Sequence, residues 1–442
     1  ADRYLFQANV RHDGSSRFAK GYRWGTFPSF SAGWVASEEK FMKNLKWDWL
    51  SFLKLRGSWG MLGNERIGSN YFPYIALMSF GNSLFYMADG SVVSDKTARP
   101  AVLAVEDITW ETTTSTDLGL DVNFLNNRLQ FHFDYYWKET KDMLLNIEIP
   151  YFMGYNNPST NAGKMSTHGY DIEVAWNDQI GDFKYGVNVN FSDFLSKIDY
   201  MNDGEQISGG KIKRAGVLFN EFYGYVCEGI YQTQEEVNNS ARTSTTVTVG
   251  DLKYRDISGP DGVPDGVISP EYDRVPLGNS LPRFQYGGSL NASYKGIDFS
   301  LAFQGIGKQN SYLSTSMVQP LRDNYGNVPA ILEGKYWSPF NTTEENLAAK
   351  YPRLSNVSKS NNYATSNFWM FNGSYFRLKN ITLGYTLPKS WTQKAGINRA
   401  RFYVSGSDLF CLSNFPSGWD PEMGTSDYPI TTSLVMGIQV NF

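Results

Sequence analysis

Charge, cysteine and long apolar runs are all scarce in this sequence. Charged residues make up 19% of the 442 residues, the formal net charge is −4, and no basic run occurs, which argues against a nucleic-acid surface. No stretch approaches the roughly 18 consecutive apolar residues that a membrane helix needs. The two cysteines, Cys227 and Cys411, lie far apart without a CxxC spacing, so we expect free thiols in strands rather than a disulfide.

Catalytic constellations are missing as well. The three histidines, His12, His132 and His168, are scattered along the chain and lack the spacing of metal ligands. No GxSxG, HExxH or GxxxxGK[ST] run occurs, and the abundant Asp and Glu pairs are no more than any long chain offers by chance. The sequence therefore predicts a protein that is not an enzyme.

Aromatic residues, in contrast, reach 16%, and they recur with a period of two. In the stretch 129–138 one face carries Leu129, Phe131, Phe133, Tyr135 and Trp137, and the other carries Gln130, His132, Asp134, Tyr136 and Lys138. Side chains alternate across a β-strand, so this stretch has one apolar and one polar face. The pattern repeats at 118–124, 170–176, 183–191, 284–294, 297–303 and 434–442. Since the only helical hint is EEKFMKNL, the chain is predicted to be all-β.

Strand and connection lengths distinguish two all-β folds that share this alternation. A soluble sandwich and a membrane barrel both show a period of two, but tilted membrane strands need about 9–11 residues, against about 5–6 in soluble sheets. The predicted strands are about ten residues long. Short turns, such as LNNR, NDQIGD and KG, alternate with long loops near 150–165, 235–283 and 307–372. This asymmetry predicts an antiparallel transmembrane β-barrel whose long loops lie outside the cell.

The two ends of the chain show strand patterns. The sequence starts with ADRYLFQANVRHDG, without an initial Met or a signal peptide, so we expect the C-terminal part of a longer protein. At the other end, an alternating strand finishes on Phe442. A strand in that position must be paired on both edges, or it exposes a row of unpaired amides.

Eight stretches, in order, carry a resemblance to a known family. They are VRHDGSSRF, WGTFPSFSAGW, LKLRGSWGMLGN, ITWETTTSTDLGLD, GDLKYRDISGPDG, DRVPLGNSLPRFQYGGSLNASYKG, GSYFRLKNITLGYTLP and GWDPEMG. Together they cover almost the whole chain. The chain resembles the C-terminal barrel region of the SusC/RagA-type TonB-dependent outer-membrane transporters.

The resemblance implies a fold, a location and a function. Residues 1–442 would form roughly the last half of a 22-stranded barrel that crosses the bacterial outer membrane many times and contacts its lipid, with the N-terminal plug, the TonB box and the first strands outside this chain. The terminal Phe442 is similar to the signal read by the machinery that inserts such barrels. The implied function is import of an oligosaccharide or a peptide, energised by TonB–ExbB–ExbD, with a SusD-like surface lipoprotein as a lid. The alternatives are a soluble β-rich glycan-binding protein and an outer-membrane enzyme.

The densest acidic stretch, GDLKYRDISGPDGVPDGVISPEYDR, is a candidate calcium site. The family often has an oxygen-rich loop here, and Ca²⁺ prefers several carboxylate and carbonyl oxygens around a tight glycine turn. Gly266 would form the bend, Ile268 would anchor it, and the candidate ligands are Asp256, Asp261, Asp265 and Asp273. The sequence departs from the family pattern at Ser258, Pro260, Val263 and Tyr272. The alternative is a solvated acidic turn held by its own side-chain to backbone hydrogen bonds.

Two aromatic, Asn-rich loops, YFMGYNNPST and SNFWMFNGSYF, are candidates for cargo contact. Aromatic rings stack on sugars or hold peptide side chains, and Asn both donates and accepts hydrogen bonds. The same residues would also suit an aromatic girdle at the membrane interface. No individual cargo-binding residue is predicted.

Overall fold

The computed structural model describes residues 3–45, 47–67, 71–147, 149–202, 204–313, 318–321, 327–423, 428 and 430–442, which are dominated by antiparallel β-strands. In the first part of the chain the strands are β1 Tyr4–Gly14, β2 Trp24–Val35, β3 Leu50–Asn64, β4 Leu77–Tyr86, β5 Val92–Val102, β6 Glu111–Phe124, β7 Leu129–Asn146, β8 Ser159–Ile180 and β9 Phe183–Met201. The later strands are β10 Glu205–Ser208, β11 Lys211–Arg214, β12 Glu221–Tyr225, β13 Cys227–Ile230, β14 Leu252–Tyr254, β15 Arg274–Asn279, β16 Arg283–Tyr294, β17 Ile297–Lys308, β18 Asn310–Tyr312, β19 Met370–Asn372, β20 Tyr375–Thr386, β21 Arg399–Ser413 and β22 Ser433–Asn441.

Helices are few and short in the described part of the chain. The α-helices are α1 Lys40–Leu45, α2 Gln234–Asn238, α3 Thr343–Leu347, α4 Lys359–Asn362 and α5 Lys389–Thr392. Single 3₁₀ turns occupy Ala36–Glu38, Tyr151–Met153, Ala330–Leu332, Asn367–Trp369 and Gln393–Ala395. The helix predicted from EEKFMKNL is confirmed as α1. Within the described ranges, no helix has the length and apolarity required to cross a bilayer.

Twelve long strands form one antiparallel sheet, which confirms the predicted fold class. Their order is β1-β2-β3-β6-β7-β8-β9-β16-β17-β20-β21-β22, so successive long strands are neighbours throughout. The other strands are short and lie in the connections, in the groups β4-β5, β10-β11-β12-β15, β13-β14 and β18-β19. The chain divides into two compact units, one made of residues up to 175 with 193–206 and 213–218, the other of 176–192, 207–212 and 219–442.

From β3 onward, short and long connections alternate along the sheet, as predicted. The short ones are 125–128, 181–182 and 295–296, and the longest are 202–282 and 309–374. Lys295 and Gly296 both have positive φ, which a two-residue hairpin turn requires. Several details differ from the prediction. The loop predicted at 235–283 belongs to a longer connection that starts at 202, and the long connection 65–110 was not predicted. Strand β8 starts at Ser159, so the loop predicted at 150–165 is shorter, and the turn predicted as NDQIGD narrows to Gly181 and Asp182 because the strands continue toward it.

The pairing register keeps apolar and polar side chains on opposite faces of the sheet. Phe133 in β7 lies opposite Leu120 in β6, whereas Asp134 lies opposite Gly119. In β22 the predicted apolar residues are uncovered, and Met436 is 82% exposed. Exposed apolar side chains along a sheet face are costly in water and suit contact with lipid.

Candidate functional site

A charged cluster lies on the polar face of the first unit. Arg56 of β3 donates to Asp121 of β6 (Nε to Oδ1, 3.2 Å) and to Asp134 of β7 (Nη2 to Oδ2, 2.6 Å). The ring of His132 lies 3.0 Å from the Asp121 carboxylate, through Nδ1, which confirms the predicted polar-face position of this histidine. The guanidinium crosses β6 over Gly119, where a Cβ atom would overlap it. Glycine therefore lets one arginine tie three strands together.

A neutral stretch of the sheet lies in the second unit. A concavity of about 500 Å³ there is lined by polar, aromatic and small residues, namely Asn188, Asn190, Ser192, Gln285, Tyr286, Gly287, Gly288, Ser289, Phe303, Gln304, Gly305, Ile306 and Tyr375. Its described lining contains no charged side chain. Amide and hydroxyl groups both donate and accept hydrogen bonds, so this surface suits a polar, uncharged ligand.

The two longest connections fold together into what we name the loop domain, the described parts of residues 219–279 and 310–372. One apolar cluster contains Tyr225, Leu252, Tyr254 and Ile268, with Ala364 and Phe368 of the second connection packed on it. Another contains Leu313, Val318, Tyr363 and Trp369. Residues 314–317 and 322–326 of the predicted 307–372 loop lie outside the described residues. The long loops thus have a core of their own.

This core changes the interpretation of SNFWMFNGSYF. Trp369 is 1% exposed, stacks on Tyr351 and Tyr363, and meets Phe368 edge-on. Its indole nitrogen donates to the carbonyl oxygen of Asn362 at 2.8 Å. These rings support the loop domain and are not available to stack on a cargo. In YFMGYNNPST, by contrast, Phe152 is exposed.

Asp251 is the centre of a buried polar network in the loop domain. Its side chain is 0% exposed and pairs with Arg353 (Oδ1 to Nε, 2.7 Å). The side-chain amide of Asn362 donates to Asp251 at 2.8 Å and accepts from the backbone N–H of Leu252 at 2.9 Å. The network therefore joins a segment of the first connection to one of the second. Asp251 has a local partner in the backbone N–H of Thr248, but Arg353 and Asn362 follow more than a hundred residues later, so the sequence near Asp251 does not reveal the network.

Burial changes the acidity of two side chains in the loop domain, Cys227 and Tyr231. Cys227 and Cys411 are both free, as predicted. Burial in the loop domain raises the pKa of the Cys227 thiol to about 11, so the thiol stays protonated and weakly nucleophilic at neutral pH. Burial likewise raises the pKa of Tyr231 to about 12. Both shifts reflect desolvation of a structural side chain.

The four predicted calcium ligands occupy different roles in the acidic stretch. Asp273 is fully buried, and its carboxylate accepts from the backbone N–H groups of Ile257 (2.7 Å), Ser258 (3.2 Å) and Ser269 (2.7 Å). Asp256 accepts from the N–H of Gly266 through Oδ2 at 2.7 Å, while its Oδ1 is buried without a hydrogen-bond partner.

The remaining two candidates, Asp261 and Asp265, are exposed, and Asp265 accepts from the N–H of Val267 at 2.9 Å. Gly266 has a φ of 85° and Ile268 is buried, so the predicted bend and anchor are confirmed. In the described part of the chain, no three Asp, Glu, His or Cys side chains are grouped as a metal site. The backbone hydrogen bonds to Asp256, Asp265 and Asp273 are those expected of the alternative interpretation, a turn held by its own hydrogen bonds. The Oδ1 atom of Asp256, which has no hydrogen-bond partner, is the atom that a cation could contact.

Calcium binding here stays a prediction, and two substitutions separate it from the turn. If Ca²⁺ binds through Asp256, millimolar Ca²⁺ should protect residues 250–274 from protease, and Asp256→Asn should remove that protection. Asp273→Asn should loosen the stretch with or without Ca²⁺, because it removes acceptors from three backbone N–H groups. Limited proteolysis with calcium or a chelator measures both effects. Equal cleavage of the unmodified protein in the two conditions would favour the turn.

Phe442, the predicted assembly signal, follows β22 directly and is 85% exposed. An uncovered aromatic is accessible to another protein, and its role in barrel insertion stays a prediction. The GWDPEMG stretch lies between β21 and β22, and its last residue, Gly424, is outside the described residues.

Comparison with known proteins gives consistent matches along the whole chain. The model of the family described as "TonB dependent receptor-like, beta-barrel" matches residues 1–405. A TonB-dependent receptor of Formosa agariphila, P3, is 30% identical over 478 aligned positions, which cover 100% of this chain and 44% of the relative. The TonB-dependent receptor SusC of Bacteroides thetaiotaomicron is 29% identical and covers 100% of this chain and 42% of its own length.

Among solved structures, the RagAB peptide transporter has a similar fold. The TM-score is 0.79 at 24% identity, and the match covers 100% of this chain and 46% of the other. The open-open state of the RagAB peptide importer gives a TM-score of 0.76. This chain therefore spans less than half the length of the relatives it matches.

Proposed function

The chain belongs to the TonB-dependent receptor family, and we propose that it forms part of the wall of an outer-membrane transporter. The proposed transporter imports a nutrient oligomer, and TonB–ExbB–ExbD supplies the energy. Members of the family are outer-membrane β-barrels and transporters rather than enzymes. The alternative of a soluble β-rich protein is therefore wrong.

The two-faced sheet is the observation that carries this proposal. In the first unit, the apolar Phe133 and the charged Arg56 lie on opposite faces of the sheet. In the second unit, Met436 and Asn190 are separated in the same way. A barrel closed from such a sheet has a lipid-facing exterior and a wet interior. We propose that β1 and β22, the two ends of the sheet order, pair with strands outside residues 1–442, and that a plug and a TonB box also belong to the whole protein.

The proposed cargo is an oligosaccharide or a peptide. The RagAB structure is named as a peptide transporter. The neutral lining around Asn190 and Gln285 offers hydrogen bonds that fit sugar hydroxyls and peptide amides alike. Uptake of labelled oligosaccharides and peptides by cells with and without the gene would distinguish the two classes.

The proposed partner is a SusD-like surface lipoprotein that closes over the loop domain. One turn of the loop domain suits such a contact, because Phe340 is 95% exposed at its tip. Hydrogen bonds hold the turn in place: Asn346 accepts from the N–H of Ser338 at 3.0 Å and donates to its carbonyl at 2.9 Å, and Thr342 caps α3. A pre-organised turn that presents an aromatic ring loses little entropy on binding.

Gentle detergent extraction of the full-length protein tests this partnership. We expect a lipoprotein to co-purify in equal proportion. Replacing the exposed pair Phe340→Ser and Leu347→Ser should reduce the recovered lipoprotein by roughly tenfold, since apolar anchors dominate binding energy. Val357→Ser, which changes another exposed apolar residue of the loop domain, is the matched control for general damage. A full-length protein that always purifies alone, and still imports cargo, would refute the lidded transporter.

A further inference from the structure

A short segment between β21 and β22 contacts both the sheet and the loop domain. This anchor segment comprises residues 414–423, all of which the structure describes and all of which belong to the second unit. Its two acidic side chains, Asp420 and Glu422, contact Arg377 of the sheet, and Trp419 packs against the loop domain. The three side chains lie within four consecutive residues.

On the sheet side, the anchor segment is held by a buried arginine. The Arg377 side chain of β20 is 3% exposed, and its Nη2 lies 2.6 Å from both carboxylate oxygens of Asp420. Its Nε pairs with Glu422. A guanidinium has a fixed fork of donors that can satisfy two carboxylates at once, which an ammonium group cannot do.

Neighbouring strands add further contacts to Glu422. Gln304 of β17 donates to it at 2.9 Å, and the Lys379 ammonium lies 3.5 Å from it and 2.8 Å from Asp408 of β21. Two cations thus face three carboxylates, and the side chains come from β17, β20, β21 and the anchor segment. Removing one partner from such a buried group leaves charges without compensation.

On the other side, Trp419 packs against the apolar cluster of the loop domain that contains Leu313, Tyr363 and Trp369. The segment between these contacts is stiffened by its own bonds. The N–H of Trp419 donates to Pro416 at 3.2 Å, and the N–H of Glu422 donates to the Asp420 side chain at 2.9 Å. Because Trp419 directly precedes Asp420, a displacement of the carboxylates moves the indole as well.

We propose that the anchor segment couples the sheet to the loop domain, so that a rearrangement around Arg377 is transmitted through Trp419 to the Trp369 cluster. Arg377 is then a positioning residue: it holds Asp420 and Glu422, and through them the anchor segment sets the position of Trp419. In the import cycle, which rests on the proposed function, this coupling would relate the interior of the transporter to its outer loops. The coupling itself requires neither cargo nor a lipoprotein partner.

Hydrogen exchange of the full-length protein in detergent tests the coupling directly. We expect Arg377→Gln to raise amide exchange across residues 363–371 roughly tenfold, and Trp419→Ala to raise it similarly. Arg377→Lys should not restore protection. The matched control is Arg401→Gln, which removes another arginine of the sheet, paired with Asp298 across Gly384, without a described contact to the anchor segment.

The double variant decides between coupling and two separate effects. If the segment transmits the change, Arg377→Gln with Trp419→Ala should be no worse than either single substitution, because each alone breaks the same connection. Effects that multiply, or unchanged exchange at 363–371 in Arg377→Gln, would overturn the proposal. Trp419→Ala keeps the test available if Arg377→Gln does not fold. Exchange is measured without cargo, so failure of import alone leaves this result unaffected.

Discussion

Replacing Asp251 with Ala is expected to unfold both long connections of the loop domain together. The substitution leaves the Arg353 guanidinium and the Asn362 amide without their shared acceptor in a buried position. Loss of one partner of a buried ion pair typically lowers the free energy of unfolding by about 3–5 kcal/mol. That is a large share of the stability of a small folded unit. Segments 231–254 and 351–369 should therefore become sensitive to protease or hydrogen exchange at the same denaturant concentration.

An exposed ion pair of the same domain is the matched control. Glu228 and Arg255 lie 2.9 Å apart with much of both side chains in solvent. Glu228→Ala should change the free energy of unfolding by less than about 1 kcal/mol, because solvent screens such pairs. If Asp251→Ala loosened only one of the two segments, the loop domain would not be one cooperative unit.

The strands were predictable from sequence because their signal is local. The alternation in 129–138 and the KG turn at 295–296 identify β7 and the β16–β17 hairpin without any other part of the chain. The loop domain was not predictable in this way. The aromatic residues of 366–376 suggested a binding surface, yet Trp369 is a core residue, because its partners Tyr351 and Tyr363 are placed by folding and not by a repeating pattern.

The same distinction between local and distant partners applies to the acidic stretch. Gly266 and Ile268 were predicted correctly, since a bend and its anchor depend on neighbours in sequence. The candidate ligand Asp273 accepts three backbone hydrogen bonds that the sequence did not predict, because they depend on where residues 257–258 fold back. Asp134 also has a partner distant in sequence, because Arg56 precedes it by 78 residues. Because Asp134 forms an ion pair with Arg56, we expect Asp134→Asn to lower the free energy of unfolding by about 1 kcal/mol.

Phe133→Arg is expected to destabilise the folded protein in the membrane by about 2–4 kcal/mol if residue 133 lies near the bilayer midplane, and by less near an interface. The reason is that Phe133 shares its face with Leu120 of the neighbouring strand, on the side assigned to lipid. Unfolding of the full-length protein in lipid vesicles, with denaturant, measures the change. The effect should exceed that of any conservative substitution at the same position.

Two variants control this experiment. Phe133→Leu keeps the position apolar and should cost less than about 1.5 kcal/mol. Asp134→Asn changes the next residue, on the opposite face, and should show the smaller cost of the weakened Arg56 pair. If Phe133→Arg were tolerated as well as Phe133→Leu, residue 133 would not face lipid.

The claim that this sheet separates lipid from a wet interior is tested most directly by labelling paired cysteines in the full-length protein. In a background without Cys227 and Cys411, single cysteines replace Leu118 or Ser115 in β6, and Val189 or Asn190 in β9. Leu118 and Val189 are exposed apolar residues, whereas Ser115 and Asn190 line the polar face. We predict that a lipid-phase probe reacts at 118 and 189 and a water-soluble probe at 115 and 190. The reverse pattern, or water-soluble labelling at all four positions, would contradict a membrane-spanning wall and the transport function built on it.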